Sequence, residues 1–301
     1  MRDSIILINK PQGFTSFDVI AKLRGILKLK RLGHSGTLDP MAVGVLPVFV
    51  GRATLACDIL PNHDKKYVAS FRLGVVTDTQ DSSGEVLKER DSSLTRQDVE
   101  KALLSFKGEI EQLPPMYSAI KVKGKRLYDL AREGIEVERK ARKITVYDIS
   151  LLSFDEKTQS GEIEVFCSKG TYIRTICHDL GEKLGVGAIM TALKRTMASG
   201  FEIKDCLDLD TVQSLSDSGE IEKYLIPVQR VFEEYKSVTL NEKQTSLFLN
   251  GVKLTMPYMD GILRVFSHDN RFLGLGYFED NLLRIKKLFL TKEGYENNED
   301  F

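Results

Sequence analysis

The fourteen residues Gly33-His34-Ser35-Gly36-Thr37-Leu38-Asp39-Pro40-Met41-Ala42-Val43-Gly44-Val45-Leu46 constrain this chain more than any other stretch. They set one carboxylate, Asp39, between a glycine-rich turn and an apolar run. Proline at 40 biases Asp39 toward extended backbone and against helix. Gly33, Gly36 and Gly44 permit tight bends or the close approach of a second backbone. Two readings compete here. One is a surface Asp-Pro turn that opens a buried segment. The other is a short reactive acid, with His34 upstream, held toward a bulky substrate.

Composition narrows the class. The 301 residues suffice for one large domain plus a small one or for two medium ones, and 42% hydrophobic with 29% charged is ordinary for a globular protein. No apolar run approaches the ~20 residues that span a bilayer. The start, MRDSIILINKPQG, has a short apolar stretch closed by Lys-Pro; it is too short for a secretion signal and reads as a buried strand. A cytoplasmic protein with no membrane partner is expected. Cysteines stand at 57, 167, 177 and 206 without a C-x-x-C pair, and the histidines at 34, 63, 178 and 268 do not join them. Neither a metal site nor a disulfide framework is expected.

The formal net charge is zero, but the charges are segregated. Residues 121–143 carry nine Lys/Arg against four acids, and residues 22–31 carry five basic residues and no acid. Residues 205–222 hold six acids and no base. Such segregation builds a basic face on a neutral chain, as nucleic-acid binding requires. A solvated helix face with internal ion pairs is the competing account.

Ser4–Ile8 reads as a strand. Thr15, with Asp18 three positions on, marks a helix start, and Val19, Ile20, Leu23, Ile26 and Leu27 extend it over 16–28. Alternation puts Tyr67, Ala69, Phe71 and Leu73 on one strand face. Thr95 and Asp98 open a helix over 96–106, strands are expected at 144–152 and 162–167, and a helix over 172–184 stops at Gly185. Beyond Pro227–Tyr235 the pattern changes to a short helix at about 241–249 and strands near 262–266, 272–278 and 282–290, with a hairpin turn at Asp269-Asn270. Strands with irregularly spaced helices indicate an α+β fold with a mixed, largely antiparallel sheet, plus a small C-terminal β-rich domain. The acidic end, 292–301, is expected to lack fixed structure.

GHSGTLDPMAVGVL resembles the active-site signature of the TruB family of tRNA pseudouridine-55 synthases, whose LDP aspartate is catalytic. Lys10-Pro11-Gln12-Gly13 resembles that family's N-terminal KPxG motif, with a plain strand-to-helix turn as its preferred role. KKYVASFRLG (65–74) with TDTQDSSGEV (77–86) resembles the second active-site motif, and KGTYIRTICHDLGEKLG (169–185) the third. LPPMYSAIKVKGKRLYDLAREG (113–134) resembles the RNA-gripping insertion called the thumb. NG-x-x-L, ILRVF, RFLGLGYF and LLRIKKLFL together resemble a PUA domain.

The resemblance implies a pseudouridine-synthase-like catalytic domain over 1–232, with a thumb at about 113–143. A PUA-like RNA-binding domain would follow over 236–291, with an acidic tail over 292–301. The implied reaction converts uridine 55 of the tRNA TΨC loop to pseudouridine with no cofactor and no obligate protein partner. Asp39, Tyr67 and Arg174 are the implied catalytic residues. Asp39 must be ionised, and Arg174 is the natural partner, because a guanidinium grips a carboxylate with two hydrogen bonds. Tyr67 would stack on the uracil and handle the C5 proton. His34, Tyr172, Leu193 and Asp81 are the implied substrate contacts, His34 filling the space left by a flipped base. Core packing competes as a role for Tyr67 and Leu193. Lys121, Lys123, Lys125, Arg126, Arg132, Arg142 and Lys143 would meet RNA phosphates. Three actions stay open for Asp39: attack at C1′, attack on the uracil ring, or removal of the ribose 2′ proton. Two further functions fit the same chain: a subunit of a guide-RNA-dependent synthase, and a non-catalytic RNA-binding or RNA-folding protein.

Overall fold

The computed structural model describes residues 3–118, 120–122, 124–257 and 261–297. They form two compact units. One comprises residues 41–44 and 63–203; the other comprises residues up to 40, 45–62 and those from 204 onward.

The 63–203 unit is built on antiparallel strands in the order Gly108–Gln112, Arg142–Asp155, Ser160–Cys167, Lys65–Leu73, Ala188–Ala198. Val43 and Gly44 add a short parallel pairing to Lys194 and Arg195. The sheet is therefore mixed and largely antiparallel, and the fold is α+β. Buried and exposed residues alternate along Lys65–Leu73, with Tyr67, Ala69, Phe71 and Leu73 turned inward. Helix Ile173–Lys183 packs on Ala188–Ala198, and Gly181 lets the two meet: a Cβ there would lie 2.0 Å from Ala188 N. Helix Arg96–Leu103 starts on the Thr95/Asp98 capping box and covers Arg142–Asp155.

In the other unit, strand Ser4–Lys10 lies between Ile226–Pro227 and Val43–Val50, of which residues 45–50 belong here. Helix Ser16–Leu27 has both halves of its Thr15/Asp18 capping box and buries Val19, Ile20, Leu23, Ile26 and Leu27. These residues pack with Ile6, Ile8, Leu46, Val48 and Val50, and with Leu209 and Val212 of helix Leu209–Asp217. The end of the chain forms a second sheet, Ser237–Thr239, Ile262–Phe266, Phe272–Glu279, Leu282–Leu288, Leu254–Thr255, covered by helix Glu242–Leu249. Phe232 stacks on Tyr235 and Phe272 and meets Phe289 at a tilt, and Arg52 donates to the carbonyls of Leu288 and Phe289. The turn at Asp269-Asn270 forms as expected, with Asn270 at φ +63°.

One expectation needs correction. The start of the acidic tail is ordered: Lys292–Glu296 is helical, capped by Thr291. Tyr295 explains this, because the Arg271 guanidinium stacks 3.8 Å from its ring centroid and donates to its carbonyl.

Candidate active site and RNA-contacting residues

Asp39 sits half-buried in a loop whose flanking residues are fastened to the first helix and the strand before it. The buried Ser16 Oγ accepts from Leu38 N at 2.9 Å and donates back to Leu38 O at 3.3 Å. On the other side of Asp39, Gly13 N donates to Pro40 O at 2.8 Å. The fully buried Lys10 Nζ donates to the carbonyls of Pro11 (2.9 Å) and Phe14 (2.5 Å) and reaches that of Pro40 at 3.4 Å. A buried ammonium is tolerated only where several acceptors surround it, so the KPQG segment and the Asp39 loop are locked as one piece. His34, half-buried, ends the short strand Leu32–His34 opposite Val48.

The 63–203 unit gathers five further predicted residues: Tyr67, Asp81, Tyr172, Arg174 and Leu193. Tyr67 lies directly opposite Val165 on one side and Arg195 on the other, while Leu193 lies opposite Ala69. Tyr67, Leu193 and Arg195 therefore share one buried sheet face. Arg174, in the first turn of helix Ile173–Lys183, is 7% exposed. Cations are disfavoured at a helix N-terminus, and three acceptors compensate. Its guanidinium donates to Asp81 Oδ2 (3.2 Å), Thr79 O (3.3 Å) and Tyr117 O (2.9 Å). Gln112 fixes Tyr172 just before this helix, donating to its carbonyl at 3.0 Å and accepting from its N–H at 2.8 Å.

Asp81 departs from expectation. It is 3% exposed, with its carboxylate engaged inside the protein. It accepts from Thr79 Oγ1, Ser83 N, Ser83 Oγ and Arg174. The loop carrying it is stitched to the sheet by Ser82 N to Met190 O and Met190 N to Gln80 O. Asp81 therefore positions Arg174. Asp78, in the same loop, accepts the Tyr117 hydroxyl at 2.9 Å and so anchors the start of the thumb segment.

The thumb segment contains a hairpin, Lys121–Val122 with Lys125–Arg126, followed by helix Leu127–Arg132. Lys121 and Arg126 are paired across the hairpin, and Lys123 lies outside the described residues. Lys125 lies 3.6 Å from Glu133, and the Arg132 guanidinium 5.7 Å from the Tyr128 ring centroid. Arg142 is exposed, and Lys143 meets Glu109 at 3.1 Å. Exposed pairs of this kind contribute about 0–1 kcal/mol, so a phosphate can displace the carboxylate.

Sequence reasoning missed several residues. Arg195 is fully buried opposite Tyr67. Ser16 holds the Asp39 loop together with Lys10, whose KPQG motif the sequence does mark, and Gln112 and Tyr117 brace Tyr172 and Arg174. For Arg195 a signal existed in its spacing of two from Leu193. Among the described residues there is no group of three or more His, Cys, Asp or Glu placed to hold a metal ion, and no helix long and apolar enough to cross a membrane.

The class of protein is that of the pseudouridylate synthases. A chain in the crystal structure of a Cbf5-Nop10-Gar1 complex has the same fold, with a TM-score of 0.73 over 97% of this chain and 86% of that one, at 24% identity. The chain belongs to the TruB family. The model of the TruB family pseudouridylate synthase N-terminal domain matches residues 24–173, that of the tRNA pseudouridylate synthase B C-terminal domain 174–233, and that of the pseudouridine synthase II TruB C-terminal region 237–289. A tRNA pseudouridine synthase B from Clostridium kluyveri is 45% identical over 96% of this chain and 100% of its own length. Proteins of the same name from Clostridium tetani and Clostridioides difficile are 43% and 41% identical, each over 96% of this chain and its whole own length.

Proposed function

We propose that this protein isomerises uridine 55 in the TΨC loop of tRNA to pseudouridine, acting in the cytoplasm without a protein partner. Support comes first from the Asp39 loop: a half-buried carboxylate on a backbone pinned at both neighbours by Ser16, Gly13 and Lys10. That arrangement suits a group that must be ready before the substrate arrives. Curated relatives of full length carrying the name tRNA pseudouridine synthase B support the choice of substrate.

In this reaction the bond from uracil N1 to ribose C1′ breaks and a bond from C5 to C1′ forms. The C5 proton leaves and N1 gains one, so no electrons or external groups are consumed. Asp39 acts at the sugar–base linkage. Tyr67 stacks on the extracted uracil and handles the C5 proton, while Arg174 supplies positive charge to the site. Leu193 and Tyr172 line the uracil pocket, and His34 occupies the gap left by the flipped base. Residues 1–232 form the catalytic domain, 113–143 its thumb, and 236–291 an RNA-binding appendage. Lys121, Lys123, Lys125, Arg126, Arg132, Arg142 and Lys143 contact phosphates and offset the few kcal/mol of unstacking.

The test is reverse-transcription mapping of pseudouridine in an unmodified tRNA transcript incubated with the pure chain. Wild type gives a single stop at position 55, and Asp39→Asn binds the transcript but yields none. Equal product from both proteins, or none from wild type, overturns the proposal.

A further inference from the structure

The first helix carries a solvent-facing stripe that its fold does not use. Val19, Ile20, Leu23, Ile26 and Leu27 face the core, which leaves Phe17, Ala21 and Arg24 exposed at helical spacing on one line, with the left-handed cap residue Lys28 exposed just past the last turn. Phe17 is 65% exposed, although it could have been polar at no cost to the core. The Arg24 guanidinium lies 5.9 Å from its ring centroid. Lys22 is turned elsewhere, toward the Phe14 ring and Asp210. Lys22, Arg24, Lys28, Lys30 and Arg31 fall between residues 19 and 38, a span without an acid. Asp18, the nearest carboxylate, is tied to Thr15 in the helix cap. Among the described residues no carboxylate is paired with Arg24, Lys28 or Lys30.

From this juxtaposition we infer that Phe17, Arg24 and Lys28 form an RNA-docking shelf. It seats a nucleotide of the substrate other than the one modified, with its base on the Phe17 ring and its phosphates against Arg24 and Lys28. The chemistry favours RNA over a protein or lipid occupant. A lone aromatic flanked by cations offers too little apolar area for a protein hot spot or for membrane insertion. It does match the pairing of a stacking platform with a cationic track that single-stranded nucleic acid requires. The inference rests on the reading of the chain as a tRNA-modifying enzyme, which the mapping experiment tests separately.

The experiment measures the affinity of the full chain for an unmodified tRNA transcript across a salt series. Phe17→Ala weakens binding about tenfold at every salt concentration without changing the salt slope, because a stacking contact releases no counterion. Phe17→Tyr restores binding. Arg24→Gln and Lys28→Gln each reduce the slope by about one. Phe17 is exposed, so the substitution leaves the core intact, and an unchanged thermal midpoint checks this. Wild-type affinity for Phe17→Ala alongside normal pseudouridine formation by the unaltered chain overturns this inference alone. Failure of the unaltered chain to bind tRNA overturns both proposals.

Discussion

Arg174 Nη1 lies 3.2 Å from Asp81 Oδ2, and both side chains are more than nine-tenths sealed from solvent. The pair joins the first turn of helix Ile173–Lys183 to the loop over 78–82, and through Tyr117 O it also holds the start of the thumb segment. Removing one partner strands the other as an uncompensated buried charge. Asp81→Ala is expected to lower unfolding free energy by about 3–5 kcal/mol in urea titrations. Replacing both partners, as Asp81→Leu with Arg174→Met, should cost less than the sum of the single changes, because no charge is left behind. Strict additivity would mean that the two residues do not act as a unit.

Ser16 and Lys10 predict a separation of catalysis from binding. Ser16→Ala leaves the Leu38 N–H without its side-chain acceptor, a loss of about 1–3 kcal/mol in local order. Lys10→Met removes a donor shared among the carbonyls of Pro11, Phe14 and Pro40. Both changes loosen the backbone on either side of Asp39 without touching a phosphate-binding residue. Steady-state assays on tRNA should show kcat down tenfold or more with KM within about twofold, since misplacing a reacting group by 1 Å costs about 100-fold. A rise in KM with kcat preserved would place these residues in binding instead.

How far the sequence discloses the structure depends on whether local signals agree. The first helix is legible because Thr15 and Asp18 cap it and its apolar spacing persists to Leu27. Strand Lys65–Leu73 is legible because its alternation runs unbroken through Tyr67, Ala69, Phe71 and Leu73. Strand Ala188–Ala198 is not: register shifts between Met190 and Ala192 and between Arg195 and Met197 break its period of two and leave the alternation of Leu193 with Arg195 too short to stand out. Asp81 misleads for another reason. TDTQDSSG has the polar composition of an exposed loop, and Asp78, Ser82 and Ser83 are exposed, yet Thr77, Thr79 and Asp81 are buried because their polar groups are satisfied within the loop and by Arg174. The Asp39 loop is conspicuous from its glycines and proline and Lys10 from its KPQG motif, but Ser16, more than twenty residues away in sequence, carries no local mark of supporting the loop.

Lys65 supplies a pH signature. Burial, followed by the nearby charge of Arg195, pulls its ammonium down from 10.5 to about 8, against the opposing pull of Cys167 and Asp64. The unfolded chain keeps the ordinary value, so between pH 8 and 10.5 it binds more protons than the folded chain, and stability contributed at this site rises with pH. Below pH 8 the folded protein carries the full cost of the buried charge. At pH 7, Lys65→Met is therefore expected to be more stable than wild type. The gain is on the order of 3 kcal/mol from the shift, reduced by about 1 kcal/mol for the lost bond to His63 O. Denaturant titrations across pH should show this advantage shrinking above pH 8 and gone by about 10.5. An advantage that does not vary with pH would contradict the assignment.

Gly44, inside the signature motif, makes the sharpest structural prediction. Its φ of +108° is one that residues with a side chain rarely adopt. A Cβ there would also lie 2.2 Å from Arg195 O and 2.9 Å from Arg195 N, both backbone atoms that have no rotamer in which to retreat. The parallel pairing of Val43 with Lys194 and Gly44 with Arg195 depends on this approach. Gly44→Ala must therefore push the 43–44 segment away from Arg195, and Arg195 is the residue directly opposite Tyr67. The expected cost is about 2–4 kcal/mol, combining backbone strain with lost pairing. Hydrogen exchange should rise at the amides of Lys194, Arg195 and Thr196 but not in strand Leu282–Leu288 of the other unit. Unchanged exchange across 194–196 would show that the pairing does not need glycine.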